Sequence, residues 1–212
     1  MDSFVVLYPW LAVLAAYLVG SLSFAVIVSR AMGLNDPRTF GSKNPGATNV
    51  LRSGSKAAAI VTLLLDAFKG WLPVMLVKWF GAAHGLGDGT MAMVGLAAFL
   101  GHLFPVFFRF EGGKGVATAL GVLLATSWIL GVAIGLTWLL VAYLSRYSSL
   151  SSLLAAVLAP VYYIFGDGVV WAMDKSVVLS TAVMSLLLIW RHAENIGRLA
   201  KGTESKLGKK KK

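Results

Sequence analysis

The segment FEGGKGVATALG, residues 110–121, sets Lys114 among glycines between two apolar runs. Gly112, Gly113 and Gly115 leave backbone N–H groups free to approach an anion, and Lys114 adds a compact positive charge. A helix starting near Val116 would turn its positive end toward the same place. A Walker-type nucleotide loop is a poor fit, because the G-x-x-x-x-G-K-[ST] spacing is missing and no buried parallel strand precedes the segment. The competing reading is a plain basic joint between membrane spans.

Three more segments carry grouped polar chemistry. In FGSKNPGATNVLR, residues 40–52, Gly41, Pro45 and Gly46 break regular helix. Ser42, Asn44, Thr48 and Asn49 supply short hydrogen-bonding groups, and Arg52 a fork that matches phosphate. The same stretch reads equally as a turn in which Thr48 or Asn49 caps the next helix. RYSSLSS, residues 146–152, offers hydroxyls that either bond a ligand or start a helix. In RHAENIGRLAKG, residues 191–202, a continuous helix would place His192 and Asn195 at i and i+3. Arg191, Asn195 and Arg198 would stand at i, i+4 and i+7, so one flank would present imidazole, amide and guanidinium. A solvated basic end to a span explains that segment as well. Cysteine is absent and His84, His102 and His192 are scattered, so neither a thiolate nor a local-histidine metal site is expected.

The elements that must position these segments are membrane helices. The chain has 212 residues, 58% hydrophobic and 13% charged, with mean hydropathy +0.77, and a soluble core could not hide its apolar runs. Those runs cover roughly 4–29, 57–80, 91–108, 118–145, 149–166 and 169–190. Lysine and arginine concentrate from Arg30 to Lys56, at Arg109 and Lys114, at Arg146, and from Arg191 onward, whereas Asp88, Asp167 and Asp174 mark the other joints. The positive-inside rule puts the basic joints in the cytoplasm. Six full crossings would violate it. The run 118–145 is about 42 Å long as a helix, more than one hydrocarbon thickness of about 30 Å and less than two. A break near Thr126 and Ser127 resolves the conflict. The expectation is an all-α integral membrane protein of seven transmembrane helices including one short half-span, with the N terminus outside and the C terminus cytoplasmic. Residues 1–204 form a single membrane domain, and 205–212 a basic solvated tail drawn to anionic lipid headgroups. Asp66 and Lys69, at i and i+3 inside the second run, must be paired. His102 and Pro105 are expected to shape helix packing.

GSKNPGATNVLR, LLDAFKGWLPV, GHLFPVFFRFEGGKGVAT and RHAENIGRL, with YLVGS at residues 17–21, resemble the bacterial acyl-phosphate:glycerol-3-phosphate acyltransferases, the PlsY family. The resemblance covers about residues 8–204. It implies a seven-helix enzyme of the bacterial inner membrane with its active site on the cytoplasmic face. Such an enzyme moves a fatty acyl chain from acyl phosphate to the 1-hydroxyl of glycerol 3-phosphate, giving lysophosphatidic acid and inorganic phosphate, the first acylation of phospholipid synthesis. By the same resemblance Ser42, Thr48, Arg52 and Lys114 form an anion pocket with the backbone of Gly112, Gly113 and Gly115. Ser149 and Ser152 contribute hydroxyls, and His192 and Asn195 orient glycerol 3-phosphate. Gly41, Asn44, Asn49 and Arg198 join the substrate-binding set. The two substrates and membrane lipids are the implied partners; no cofactor, metal, nucleic acid or obligate protein partner is. One departure is Lys43, where the motif usually has glycine.

The chemistry suits the residues. Acyl phosphate carries a good leaving group, so an enzyme must mainly hold a hydroxyl near the carbonyl carbon, neutralise the departing phosphate and exclude water. The H-x-x-x-x-D pair of acyl-CoA-dependent enzymes is missing after all three histidines, where Gly89, Phe107 and Gly197 stand instead. An organic-phosphate transporter is the alternative, disfavoured because no internal repeat is evident and the polar segments gather at one membrane face.

Overall fold

The structure is a computed structural model and describes residues 5–208. It is all-α. The helices are α1 (Tyr8–Gly20), α2 (Phe24–Ala31), α3 (Ala47–Val50), α4 (Lys56–Phe80), α5 (Asp88–Leu103), α6 (Val116–Thr126), α7 (Trp128–Ser145), α8 (Ser148–Phe165), α9 (Lys175–Arg191) and α10 (Ala193–Ala200). The stretches Lys56–Phe80, Asp88–Phe108, Trp128–Ser145 and Ser148–Phe165 are long and apolar enough to cross a membrane alone. The pairs α1 with α2 and α9 with α10 reach that length together, and α6 is a shorter apolar helix. Leu136, Leu139, Leu140 and Tyr143 of α7 are exposed, an arrangement that suits hydrocarbon and not water.

The expected break in the run 118–145 falls at Ser127, extended between α6 and α7 with its hydroxyl accepting from Leu130 N–H at 3.4 Å. The end of α6 leaves carbonyls without helical partners. Lys78 answers them, donating at 2.9 Å to both Ala125 O and Thr126 O. Beside this break α4 and α6 pack backbone to backbone. A Cβ on Gly70 would strike the Thr118 carbonyl, and one on Gly121 the Ala67 carbonyl. Such close approach of small residues is how helices associate where the hydrophobic effect is weak.

Two expectations need correction. The run 4–29 is not one straight helix, because α1 and α2 bend by 42° around Ser21–Ser23. Buried Lys69 holds that break open, donating to Leu22 O at 2.7 Å. The flank 191–202 is not continuous either: α9 and α10 bend by 57° at His192, so Arg191 does not share a face with Asn195 and Arg198. The segment after α10 is mostly exposed and makes specific contacts. Residues 203–208 turn back across the polar end of the bundle, where Leu207 N–H donates to Arg146 O at 2.7 Å. Lys209–Lys212 lie outside the described residues.

Asp66 and Lys69 are paired as expected, at 2.8 Å and almost completely buried. His102 is buried beside them.

Candidate active site

The loop between α2 and α3 is folded by one side chain. Asn49 donates to Pro37 O at 2.6 Å and Phe40 O at 3.2 Å and accepts from Ser42 N–H at 3.0 Å. Its amide is spent on the loop and on Arg52, whose Nη1 donates to Oδ1 at 3.4 Å; Ser42 and Arg52 are both exposed. Gly46 is the N-cap of α3, and neither Thr48 nor Asn49 caps it. Thr48 is exposed and Asn44 half-buried, outside the hydrogen-bonded cluster described below. Gly41 lies against the Asn49 and Arg52 side chains with φ +60°. Lys43 takes the left-handed φ of +56°, a conformation glycine adopts freely and other residues at a cost of about 1 kcal/mol.

The glycine loop comes next to it. Gly113 N–H donates to His102 O at 3.1 Å, Gly115 has φ +83°, and α6 begins at Val116, as expected. Arg191, at the end of α9, grips the loop from the other side, donating to Gly112 O at 2.8 Å and Gly113 O at 3.2 Å. Arg38 bonds Asp36 at 2.7 Å and reaches Glu111 at 3.5 Å, tying the two loops together. Its guanidinium holds the Asp36 carboxyl below the usual carboxylate value. Lys114, projecting from the loop, bonds Asn195 Oδ1 on α10.

A single carboxylate then joins the remaining segments. Glu204 Oε1 accepts from Ser149 Oγ at 2.8 Å and Asn195 Nδ2 at 2.7 Å, and Oε2 accepts from Arg198 Nε at 2.7 Å. Its neighbour Ser205 accepts from Arg52 at 2.9 Å. Ser149, Lys114, Asn195 and Arg198 thus meet around Glu204, and Arg52 adjoins them. Ser152 does not join them: it accepts from Trp138 Nε1 at 3.0 Å and donates to Ser148 O at 2.8 Å, fastening α8 to α7.

The electrostatics are those of an anion site. Arg198 pairs with Glu204, while Lys114 bonds Asn195, Arg52 reaches Ser205 and Arg191 holds the glycine loop close by, so cations outnumber the one half-buried acid. Burial lowers the Lys114 ammonium to about 8, and the neighbouring Arg198 charge adds to the shift. Burial would raise Glu204, but hydrogen bonds from Arg198, Asn195 and Ser149 outweigh it and keep the carboxyl below its ordinary value. Burial also lowers His192 to about 4, opposed by its bond to Leu188 O and reinforced by the Lys114 charge. That bond, 2.8 Å from Nδ1 to a carbonyl that can only accept, puts the proton on Nδ1. Neutral His192 therefore carries a lone pair on Nε2, suited to accept a hydrogen bond from a hydroxyl.

Glu204 is the functional candidate the sequence reading missed. Its one signal is that it is the last acidic residue in a strongly basic stretch; nothing local says that the stretch folds back. Among the described residues no group of three or more metal-ligating side chains lies together.

The chain is similar to known proteins along almost its whole length. The family profile described as "Glycerol-3-phosphate acyltransferase" matches residues 10–202. A glycerol-3-phosphate acyltransferase of Albidiferax ferrireducens is 71% identical over 210 residues, 99% of this chain and 92% of the relative. One of Paraburkholderia xenovorans is 61% identical over 199 residues, 93% of this chain and 90% of the relative. Among solved structures, the glycerol 3-phosphate form of PlsY (YgiH), an integral membrane glycerol 3-phosphate acyltransferase, superposes with TM-score 0.86 at 38% identity, covering 95% of this chain and 96% of its own. Its lysophosphatidic acid form gives TM-score 0.84 at 37% identity, with the same coverage.

Proposed function

The chain belongs to the glycerol-3-phosphate acyltransferase family, and from that premise we propose how its basic cluster carries out the transfer. The donor is acyl phosphate. The 1-hydroxyl oxygen of glycerol 3-phosphate bonds to the carbonyl carbon, the bond from that carbon to the phosphate oxygen breaks, and lysophosphatidic acid and inorganic phosphate leave. Both substrates are phosphorylated, one dissolved in the bilayer and one in water. A cluster of cations at the polar end of an apolar bundle suits both.

Lys114, Arg52, Arg198 and the N–H groups of Gly112 and Gly115 hold phosphate, with Ser42 and Ser149 adding hydroxyls; the Gly113 N–H, expected among them, is spent on His102 O. Asn195 and the Nε2 edge of His192 orient the glycerol so that its hydroxyl approaches the carbonyl. The proton passes to a substrate phosphate. A phosphate whose second pKa lies near 6 is a better acceptor than an imidazole held at about 4. Glu204 keeps Ser149, Asn195 and Arg198 in register.

We place the site at the cytoplasmic face of the bacterial inner membrane, with seven crossings: α1 with α2, α4, α5, α6, α7, α8 and α9. The N terminus is then outside and the C terminus inside. The basic joints bearing Arg52, Lys114, Arg146 and Arg191 support that orientation. The convergence of all four polar segments at one end of the bundle is the observation that carries the reading. A carrier would need them at the midplane.

The test is direct. Purified protein in micelles, supplied with acyl phosphate and glycerol 3-phosphate, releases inorganic phosphate and lysophosphatidic acid in equal amounts. Folded protein that yields neither, while liposomes containing it take up glycerol 3-phosphate, sinks the assignment. Replacing His192 by Asn raises KM for glycerol 3-phosphate. A loss confined to kcat would make His192 the base instead.

A further inference from the structure

The reaction leaves one group of polar side chains unused, and it lies directly against the glycine loop. Asp66 and Lys69 on α4, His102 on α5 and Thr118 on α6 are all buried. Lys69 Nζ stands 2.8 Å from Asp66 Oδ1 and is anchored to Leu22 O between α1 and α2. The same carboxylate oxygen lies 3.6 Å from His102 Nδ1, which meets Thr118 Oγ1 at 3.2 Å. Asp66 Oδ1 makes no well-aligned hydrogen bond to either nitrogen, so opposed charge and packing hold it there. Charges buried among membrane helices are costly, so their presence here points to function.

The other edge of the imidazole meets the loop. Gly113 N–H donates to His102 O, and a side chain on Gly113 would collide with His102 Nε2; one on Gly112 would collide with the His102 and Leu103 carbonyls. The loop that carries Lys114 therefore rests on the His102 ring and main chain, while Asp66 and Thr118 flank the ring from behind.

We propose that His102 is a positioning residue for glycerol 3-phosphate: Asp66, anchored by Lys69, fixes the imidazole, and the imidazole fixes Gly112–Lys114 in the shape that receives phosphate. The inference rests on the reaction proposed above. It places these three side chains in series, behind the loop and out of contact with substrate.

Series action has a signature in double-mutant cycles. The variants are His102→Gln, the charge-free pair Asp66→Asn with Lys69→Met, and the triple combination, each checked for thermal unfolding in detergent. His102→Gln and the charge-free pair each raise KM for glycerol 3-phosphate by about tenfold or more, with kcat and KM for acyl phosphate within about threefold. The triple variant is no worse than His102→Gln. Calorimetric affinity for inorganic phosphate falls in parallel. Unchanged KM in His102→Gln overturns the proposal. So does a loss of kcat at constant KM, which would put His102 on the reacting atoms, and so do additive losses that track thermal stability, which would make the cluster a folding device only. Wild-type protein inactive toward glycerol 3-phosphate would count against the reaction, and phosphate affinity unaffected by His102→Gln would still count separately against the positioning role.

Discussion

Lys114 supplies a pH dependence that can be worked out from its surroundings. Burial and the Arg198 charge bring its ammonium down to about 8, so it is about 90% protonated at pH 7 and about 10% at pH 9. Only the charged form attracts phosphate. Because kcat/KM reports ionisations of the free enzyme, kcat/KM for glycerol 3-phosphate should fall above pH 8, approaching tenfold per pH unit. The size of the effect follows from Coulomb's law. A cation about 4 Å from a phosphate charge is worth about 4 kcal/mol at an effective dielectric near 20, so Lys114→Met should cost up to about a thousandfold. Lys114→Arg keeps the charge at every accessible pH but cannot reproduce the lysine's contact with Asn195. Its kcat/KM should be lower throughout and should lack the alkaline limb. The assay is initial-rate release of inorganic phosphate from pH 6.5 to 9.5 at saturating acyl phosphate. An alkaline limb near pH 8 that persists in Lys114→Arg, or a flat wild-type profile to pH 9.5, refutes the argument.

Other consequences follow from single contacts. Glu204→Gln retains an acceptor for Ser149 and Asn195 but sets an amide against Arg198, losing a charge-assisted bond worth about 1.5–3 kcal/mol. Its kcat/KM should drop about ten- to a hundredfold, and full activity would show that the folded-back segment is idle. Asp174 caps α9 through Ser176 N–H at 2.7 Å and Val177 N–H at 3.2 Å. Asp174→Ala should lower stability by about 1 kcal/mol in detergent unfolding while leaving turnover intact. His192, lowered to about 4 in the folded protein, is protonated first in the unfolded chain. Stability is therefore complete above about pH 6.5 and is lost as pH falls toward 4, by about 3 kcal/mol. A melting profile over that window that is the same in His192→Asn would contradict this.

Local features of the fold were legible where the signal was local. The break at Ser127 follows from a run too long for one crossing and too short for two, and the Asp66–Lys69 pair from the cost of a lone charge in hydrocarbon. The bends were not legible. Ser21–Ser23 looks no more polar than much of a membrane helix, and its opening depends on Lys69, which is 47 positions away from Leu22. At His192 a continuous helical pattern masks a bend that sends Arg191 to the glycine loop and Asn195 to Lys114. In the site, the glycine loop and Arg52 announced themselves by residue type. Asn49 and Ser152 are engaged by the loop and by the α7–α8 interface, because short polar side chains that suit a ligand equally suit a loop or a helix interface. Glu204 was hidden because a carboxylate in a basic tail ordinarily faces solvent, and only tertiary folding brings Ser149, Asn195 and Arg198 to it.

The proposed reaction requires phosphate to be held at Lys114. With its ammonium lowered to about 8, this amine should be unusually reactive toward an acylating reagent at pH 8, and the modification can be counted by mass spectrometry with and without glycerol 3-phosphate. Saturating glycerol 3-phosphate should suppress labelling of Lys114 and leave Lys175, at the start of α9, labelled as before. Labelling of Lys114 at an undiminished rate would mean that the phosphate binds elsewhere.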